Sequence, residues 1–99
     1  MVIDAEDYCE IIDGVICKKK SEAPYHNVIT NNLIYILDNH MEEKKCGGVF
    51  GSSIGMIFPD GNFLMPDLTV ICDLSIVDPY SHIKGVPDLC VEVLSASTA

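Results

Sequence analysis

Two acidic residues of this chain lie in strongly apolar surroundings, where a charge is difficult to accommodate. Glu92 lies inside the apolar run 89–94, and Asp67 directly precedes the run 68–72. An unpaired buried carboxylate is unfavourable by several kcal/mol, so such a group is normally paired, protonated or bound to a metal. No arginine is near Glu92. Two carboxylates on neighbouring strands could instead chelate Mg²⁺, which usually takes one or two protein carboxylates.

Each carboxylate also has a simpler explanation. Glu92 would point to solvent if its strand were half exposed. Asp67 would cap the entry to its strand, since the preceding Pro66 has no amide hydrogen for a sheet ladder and marks a strand start. A plain α+β domain with two unrelated acidic residues predicts that their side chains point to different faces of the sheet.

A β-hairpin is predicted at the beginning of the chain. Residues 8–12 and 15–18 are β-type runs joined by Asp13-Gly14, a strong hairpin signal because both turn positions need positive φ. Lysines 18–20 then form a short basic run. Such a run is typical of a solvated strand end, with a phosphate contact as the alternative.

One long amphipathic helix is predicted over residues 23–45. Ser21 is a suitable N-cap, and Gly47-Gly48 ends the helical pattern. The apolar residues recur at helical spacing and should pack on a sheet; they are Ile29, Leu33, Ile36, Leu37 and either His40 or Met41.

The second half of the chain reads as strands. The β-type runs are 49–51, 54–58, 68–72 and 89–94, with a turn at 59–62 and a loop at 73–87. The continuous apolar run 89–94 predicts a strand covered on both faces. The predicted fold class is therefore α+β: an N-terminal hairpin, a long helix and a mostly antiparallel β-meander.

Composition limits the function classes. The net charge of −9 counts against a surface that binds DNA through many phosphate contacts, unless a divalent metal supplies part of the positive charge. The apolar stretches are far shorter than the about 20 residues of a membrane helix, and the acidic N-terminus does not resemble a secretory signal. Five cysteines without zinc-ligand spacing favour small buried hydrophobes in a reducing compartment. We expect a cytoplasmic protein.

Several short motifs resemble those of one known family, and they occur in the right order over nearly the whole chain. They are Tyr8-x-Glu10-Ile11-Ile12-Asp13-Gly14, Tyr25-His26, Phe58-Pro59-Asp60-Gly61, Pro66-Asp67-Leu68-Thr69-Val70, and Gly85-Val86-Pro87-Asp88-Leu89-x-Val91-Glu92-Val93-Leu94-Ser95. In these features the sequence is similar to the Uma-type restriction endonucleases, a branch of the PD-(D/E)XK nuclease superfamily. Pro-Asp-x-x-Val together with Pro-Asp-Leu-x-Val-Glu-Val-Leu-Ser is the specific part.

The resemblance implies a restriction-endonuclease-like core and a particular site. It implies Asp67 and Glu92 as metal-binding carboxylates, the carbonyl of Val93 as a backbone ligand, and His26 as a residue facing the same cleft. An exposed helix histidine is the alternative for His26. The superfamily lysine stands two residues after the glutamate, where this chain has Leu94. The resemblance assigns that role to a lysine on a following helix, and Lys84 does not match it.

The resulting hypothesis is Mg²⁺-dependent hydrolysis of DNA phosphodiester bonds. The alternative is a non-catalytic nuclease-fold module that binds protein partners, which the charge and Leu94 favour. We expect residues 1–99 to be a single domain, the N-terminal part of a nuclease domain without its C-terminal helix and strand. An apolar strand 89–94 without those elements predicts a homodimer or higher homo-oligomer with this strand in or near the interface.

Overall fold

The computed structural model describes residues 9–19, 22–52 and 54–94 of the chain. Over these residues the protein has one α-helix, α1 (Pro24–Lys44), and a short 3-10 helix at Leu74–Ile76. The strands are β1 (Cys9–Ile12), β2 (Val15–Lys18), β3 (Gly48–Phe50), β4 (Met56–Ile57), β5 (Phe63–Leu64), β6 (Leu68–Ile71), β7 (Ile83–Lys84) and β8 (Leu89–Val91).

The predicted N-terminal hairpin is confirmed for its described residues. β1 and β2 pair antiparallel with Ile12 opposite Val15. Asp13 and Gly14 form the turn with φ of 50° and 80°, the positive values that the Asp-Gly signal requires. Tyr8, the first residue of the predicted hairpin, and Lys20, the last residue of the basic run, lie outside the described residues.

The strands form two sheets. One has the order β2-β1-β5-β4-β7, and the other has the order β3-β6-β8. All strand pairs are antiparallel except β4 with β7. The predicted α+β class with mostly antiparallel strands is confirmed. The two-residue strands β5 and β7 were not predicted, because two paired residues are too few to show a periodic pattern.

Helix α1 packs one face on the smaller sheet. Leu33 and Leu37 contact the cluster around the buried Met41, as the stripe predicts. Ile36 was wrongly placed in that stripe, since it is 61% exposed. A helix advances about 100° per residue, so Ile36 lies more than a quarter turn around the helix from the centre of the buried face, which includes His26, Thr30 and Met41. The predicted N-cap Ser21 lies outside the described residues, and Ala23 is the N-cap.

Strand β6 lies between two hydrophobic clusters, and all four of its residues are buried. Leu68 and Val70 pack in the cluster with α1, while Ile71 packs in a second cluster with Met56 and Ile83. This alternation follows from the two-residue period of a strand. Because β6 is fixed on both faces, the residue at its beginning, Asp67, has a firmly determined position.

The prediction that the last strand is covered on both faces was wrong. β8 is at the edge of the three-stranded sheet, and Leu89 is 44% exposed. Leu89 and Cys90 are consecutive, so they point to opposite faces of the sheet, and both are exposed. No described strand pairs with the outer edge of β8. The described cysteines are partly or fully exposed rather than buried, and no disulfide joins them. Over residues 9–19, 22–52 and 54–94, no helix has the length and apolarity needed to cross a membrane.

Candidate metal centre

Asp67 and Glu92 face each other across the β6–β8 pair. Leu68 is paired with Val91, so the same antiparallel register continued by one residue sets Asp67 opposite Glu92. Directly opposed residues on neighbouring strands have their side chains on the same face of a sheet. The register therefore excludes the alternative in which the two carboxylates point to different faces of the sheet.

The Asp67 carboxylate is held by two polar groups in a buried position. Asp67 is only 3% exposed. The backbone N–H of Val93 donates to its Oδ2 over 2.7 Å, and Nε2 of His26 lies 3.1 Å from the same oxygen. A carboxylate buried this far needs such partners, because each N–H compensates part of the solvation that the anion loses.

His26 is fixed by the first turn of α1 and by a neighbouring acid. Its backbone carbonyl accepts a hydrogen bond from the Thr30 hydroxyl at 2.9 Å, and its own amide donates to the Ala23 carbonyl at 3.0 Å. The imidazole is buried, and its Nε2 also lies 3.9 Å from Oε1 of Glu22. The alternative of an exposed helix histidine is thereby excluded. His26 lies between two carboxylates.

Glu92 lies at the open side of the site, with its side chain 55% exposed. Partial burial raises the pKa of its carboxyl group, the nearby Lys19 ammonium lowers it, and the negative charges of Asp67 and Glu10 raise it. A hydrogen bond with Asp67 raises the pKa of Glu92 further. The carboxyl groups of Asp67 and Glu92 are therefore close to each other, and a bound cation would reduce the repulsion between them.

The donor set fits a divalent cation. Ligand atoms of Glu22, His26 and Asp67 all lie within 4.8 Å of one another, and Glu92 adjoins Asp67. Carboxylate oxygens suit Mg²⁺ or Mn²⁺, whereas an imidazole suits softer transition metals better. His26 donates to Asp67 only when Nε2 carries a hydrogen, and it could bind a metal through that atom only without it. Its two possible roles therefore exclude each other.

Of four other residues named from sequence, only Val93 contacts a candidate metal-site carboxylate directly among the described hydrogen bonds. Val93 contacts Asp67 through its amide group. Leu94 is 68% exposed. Asp88 accepts a hydrogen bond from the Cys72 amide and so ties the end of β6 to the entry of β8. Lys84 lies in β7, a strand of the other sheet.

Two charged residues of this region, Glu10 and Glu22, were not proposed as site residues from sequence, and Lys19 was considered only as part of a basic run with a phosphate contact as one alternative. Glu10 accepts a hydrogen bond from the Met65 amide at 2.8 Å, and Lys19 donates one to the Met65 carbonyl at 2.6 Å. Glu10 is part of the hairpin motif and Glu22 precedes His26 by four residues, so both positions were visible. Their proximity to Asp67 was not, because it arises from packing of the hairpin and helix against the segment before β6.

The same fold occurs in a known crystal structure, that of a putative nuclease belonging to DUF820 from Anabaena variabilis ATCC 29413. The TM-score is 0.76 at 19% sequence identity. The likeness covers 99% of this chain and 56% of that chain, so this chain spans little more than half the length of its structural relative. At this identity the likeness establishes the fold alone.

The family follows from the sequence profile of Uma2, described as "Putative restriction endonuclease", which matches residues 3–99. The match extends over nearly the whole chain. The chain belongs to the Uma2 family, and the resemblance seen in its motifs is confirmed. No curated protein is recognisably similar to the chain.

Proposed function

We propose that the protein is a DNA endonuclease that hydrolyses phosphodiester bonds with Mg²⁺ bound by Asp67 and Glu92. The observation that carries this proposal is the buried Asp67 carboxylate, which lies directly across from Glu92 and forms a cluster with Glu22 and His26. Membership of a restriction endonuclease family supports DNA as the substrate. The carbonyl of Val93 completes the proposed ligand set.

Asp67 and Glu92 have different proposed roles because one is buried and the other is half exposed. Asp67 is held in one orientation by the Val93 amide and by His26, so its charge is available without rearrangement. Glu92 is half exposed, so a cation bound to it can also contact an approaching phosphate. When bound, Mg²⁺ polarises the phosphoryl group and lowers the pKa of the attacking water. His26 is proposed to act through Asp67, as a positioning residue.

The test is cleavage of plasmid DNA by the full-length protein with Mg²⁺ or with a chelator. Asp67→Asn and Glu92→Gln keep the side-chain shape and remove the charge. Each should lower the cleavage rate at least about 100-fold, the scale seen when a group that stabilises a transition state is removed. Asp60→Asn, in an exposed turn, is the matched control and should cleave like the wild type. No cleavage by the wild type, or full activity of Asp67→Asn, would contradict the proposal.

Two observations favour a second candidate function, a non-catalytic module with protein partners. Leu94 is exposed at the position where the superfamily pattern has a lysine, and the chain has a net charge of −9. Such a module would bind neither Mg²⁺ nor DNA measurably. The cleavage experiment separates the two functions, since the module predicts no activity in the wild type.

Three expectations from sequence stay predictions. One is that residues 1–99 form a single domain, and another is a cytoplasmic location. The third is homodimer or higher homo-oligomer formation near the last strand. The position of β8 at a sheet edge, with Leu89 partly exposed, supports association because an unpaired edge readily adds a further strand. Light scattering should therefore give a mass above that of a monomer, and a stable monomer would contradict this expectation.

A further inference from the structure

One lysine lies at the candidate metal centre. The Lys19 ammonium is 3.9 Å from Oε2 of Glu92, and its side chain is 21% exposed. The other lysines within residues 9–19, 22–52 and 54–94 are exposed, and none of them forms an ion pair there. From sequence, the basic run that includes Lys19 was interpreted as a solvated strand end, with a phosphate contact as the alternative.

The position of the Lys19 ammonium is set by a backbone group rather than by Glu92. Nζ donates to the Met65 carbonyl at 2.6 Å, and Met65 is two residues before Asp67. The 3.9 Å to Glu92 is too long for a hydrogen bond. An ammonium has three donors, so Lys19 is anchored by one and has others with which to bind a further acceptor.

The charge balance of the centre shows what that acceptor should be. Glu10, Glu22, Asp67 and Glu92 bring four carboxylates to this region. One divalent ion neutralises only two of them, so a DNA phosphate would still meet a negative surface. A fixed ammonium beside Glu92 reduces this repulsion and supplies donors for phosphate oxygens, since lysine binds phosphate as a point charge.

We propose that Lys19 binds the reacting phosphate of the substrate at this metal centre, from the hairpin side of the site. It thereby adds a positive charge beside Glu92, in a segment whose residue two positions after the glutamate is the uncharged Leu94. Its ammonium donates to a non-bridging phosphate oxygen and stabilises the charge that develops there, and no bond to Lys19 forms or breaks. This inference rests on the proposed nuclease function.

A purely structural role is the competing explanation, in which Lys19 only ties the hairpin to the segment before β6. Lys19→Gln separates the two roles because the amide keeps an N–H donor for the Met65 carbonyl and loses the charge. Lys19→Met loses both. Lys18→Gln is the matched control, since it makes the same charge change at the exposed neighbouring residue.

The first measurement is kcat and KM for DNA cleavage by the full-length protein with Mg²⁺. The second is the affinity for a DNA duplex as a function of salt concentration, with Ca²⁺ in place of Mg²⁺. Lys19→Gln should lower kcat about 100-fold and reduce the slope of log affinity against log salt by about 1. Lys18→Gln should keep the wild-type kcat. Lys19→Met should behave like Lys19→Gln in kcat, with a lower melting temperature. If Lys19→Met does not fold, Lys19→Gln decides alone.

The outcomes distinguish this inference from the function on which it rests. Cleavage by the wild type with an undiminished kcat and salt slope in Lys19→Gln overturns the role of Lys19 and leaves the nuclease proposal intact. No cleavage by the wild type overturns both. If Lys19→Gln and Lys18→Gln lower kcat equally, the role of Lys19 is also overturned, because the effect would then come from the change in net charge.

Discussion

Gly47 is the position at which a single methyl group should do most damage to the arrangement of helix and sheet. It connects α1 to β3 and has a φ of +59°. A Cβ there would lie 1.8 Å from the Ile71 carbonyl oxygen and 2.6 Å from the Cys72 Cα, both backbone atoms. Gly47→Ala should therefore displace β6, the strand that begins directly after Asp67.

The expected loss of stability has two parts. A non-glycine residue in the left-handed conformation is less stable by about 1–2 kcal/mol, and forcing extra volume into a packed region adds about 1–3 kcal/mol. The total is about 2–5 kcal/mol. Gly14→Ala is the matched control, because Gly14 has a φ of +80° but a Cβ added there would meet no atom within 4 Å. It should lose only the conformational part.

Urea unfolding measures both variants, with the midpoint compared at an unchanged m-value. Gly47→Ala should unfold at clearly lower urea than Gly14→Ala. Equal midpoints would refute the reasoning, since they would mean that the Ile71 carbonyl does not lie where a Cβ at Gly47 must go.

Three further predictions concern the helix face, pH and a thiol. Leu37→Ala should lower stability by about 2 kcal/mol and Ile36→Ala by less than about 0.5 kcal/mol in chemical unfolding, because only Leu37 packs on the core. Burial and the Asp67 charge raise the pKa of Glu92, so without metal its contribution to stability is greatest below its unfolded pKa and is lost as pH rises through the folded pKa. Glu92→Gln should remove that part of the pH dependence of the unfolding midpoint, and an unchanged profile would contradict it. A hydrogen bond with Cys46, followed by burial, raises the pKa of the Cys72 thiol to about 11. Cys72 should therefore react with iodoacetamide at pH 8 about 100-fold more slowly than a free thiol, and faster in Cys46→Ala, as mass spectrometry of the labelled peptides would show.

The elements that were predictable from sequence are those with strong local signals. Asp13-Gly14 fixed the hairpin because its turn type needs positive φ at both residues. The long apolar periodicity predicted α1. The exposed Ile36 shows that packing contacts with the sheet decide which face of the helix is buried. The two-residue strands β5 and β7 were missed, since their pairing is set by distant partners.

The candidate site was predictable in part. Asp67 and Glu92 were found as charges in apolar runs, and the register across β6 and β8 sets the two residues opposite each other. The expectation of a buried charge is confirmed for Asp67. It is weaker for Glu92, which is half exposed beside an edge strand. Lys19 could not be found this way, because a lysine after a strand is ordinary and its contact with Met65 joins segments 46 residues apart.

The most direct test of the central claim is to locate a bound divalent ion by NMR. Mn²⁺ added below one equivalent broadens signals near its site, and Mg²⁺ in excess should restore them if both ions share it. The Val93 amide and the His26 ring should broaden first, before the exposed turns at Asp60 and Asp78, and the selectivity should disappear in Asp67→Asn. Broadening centred on Asp60 or Asp78, or unchanged in Asp67→Asn, would contradict a metal centre at Asp67 and Glu92.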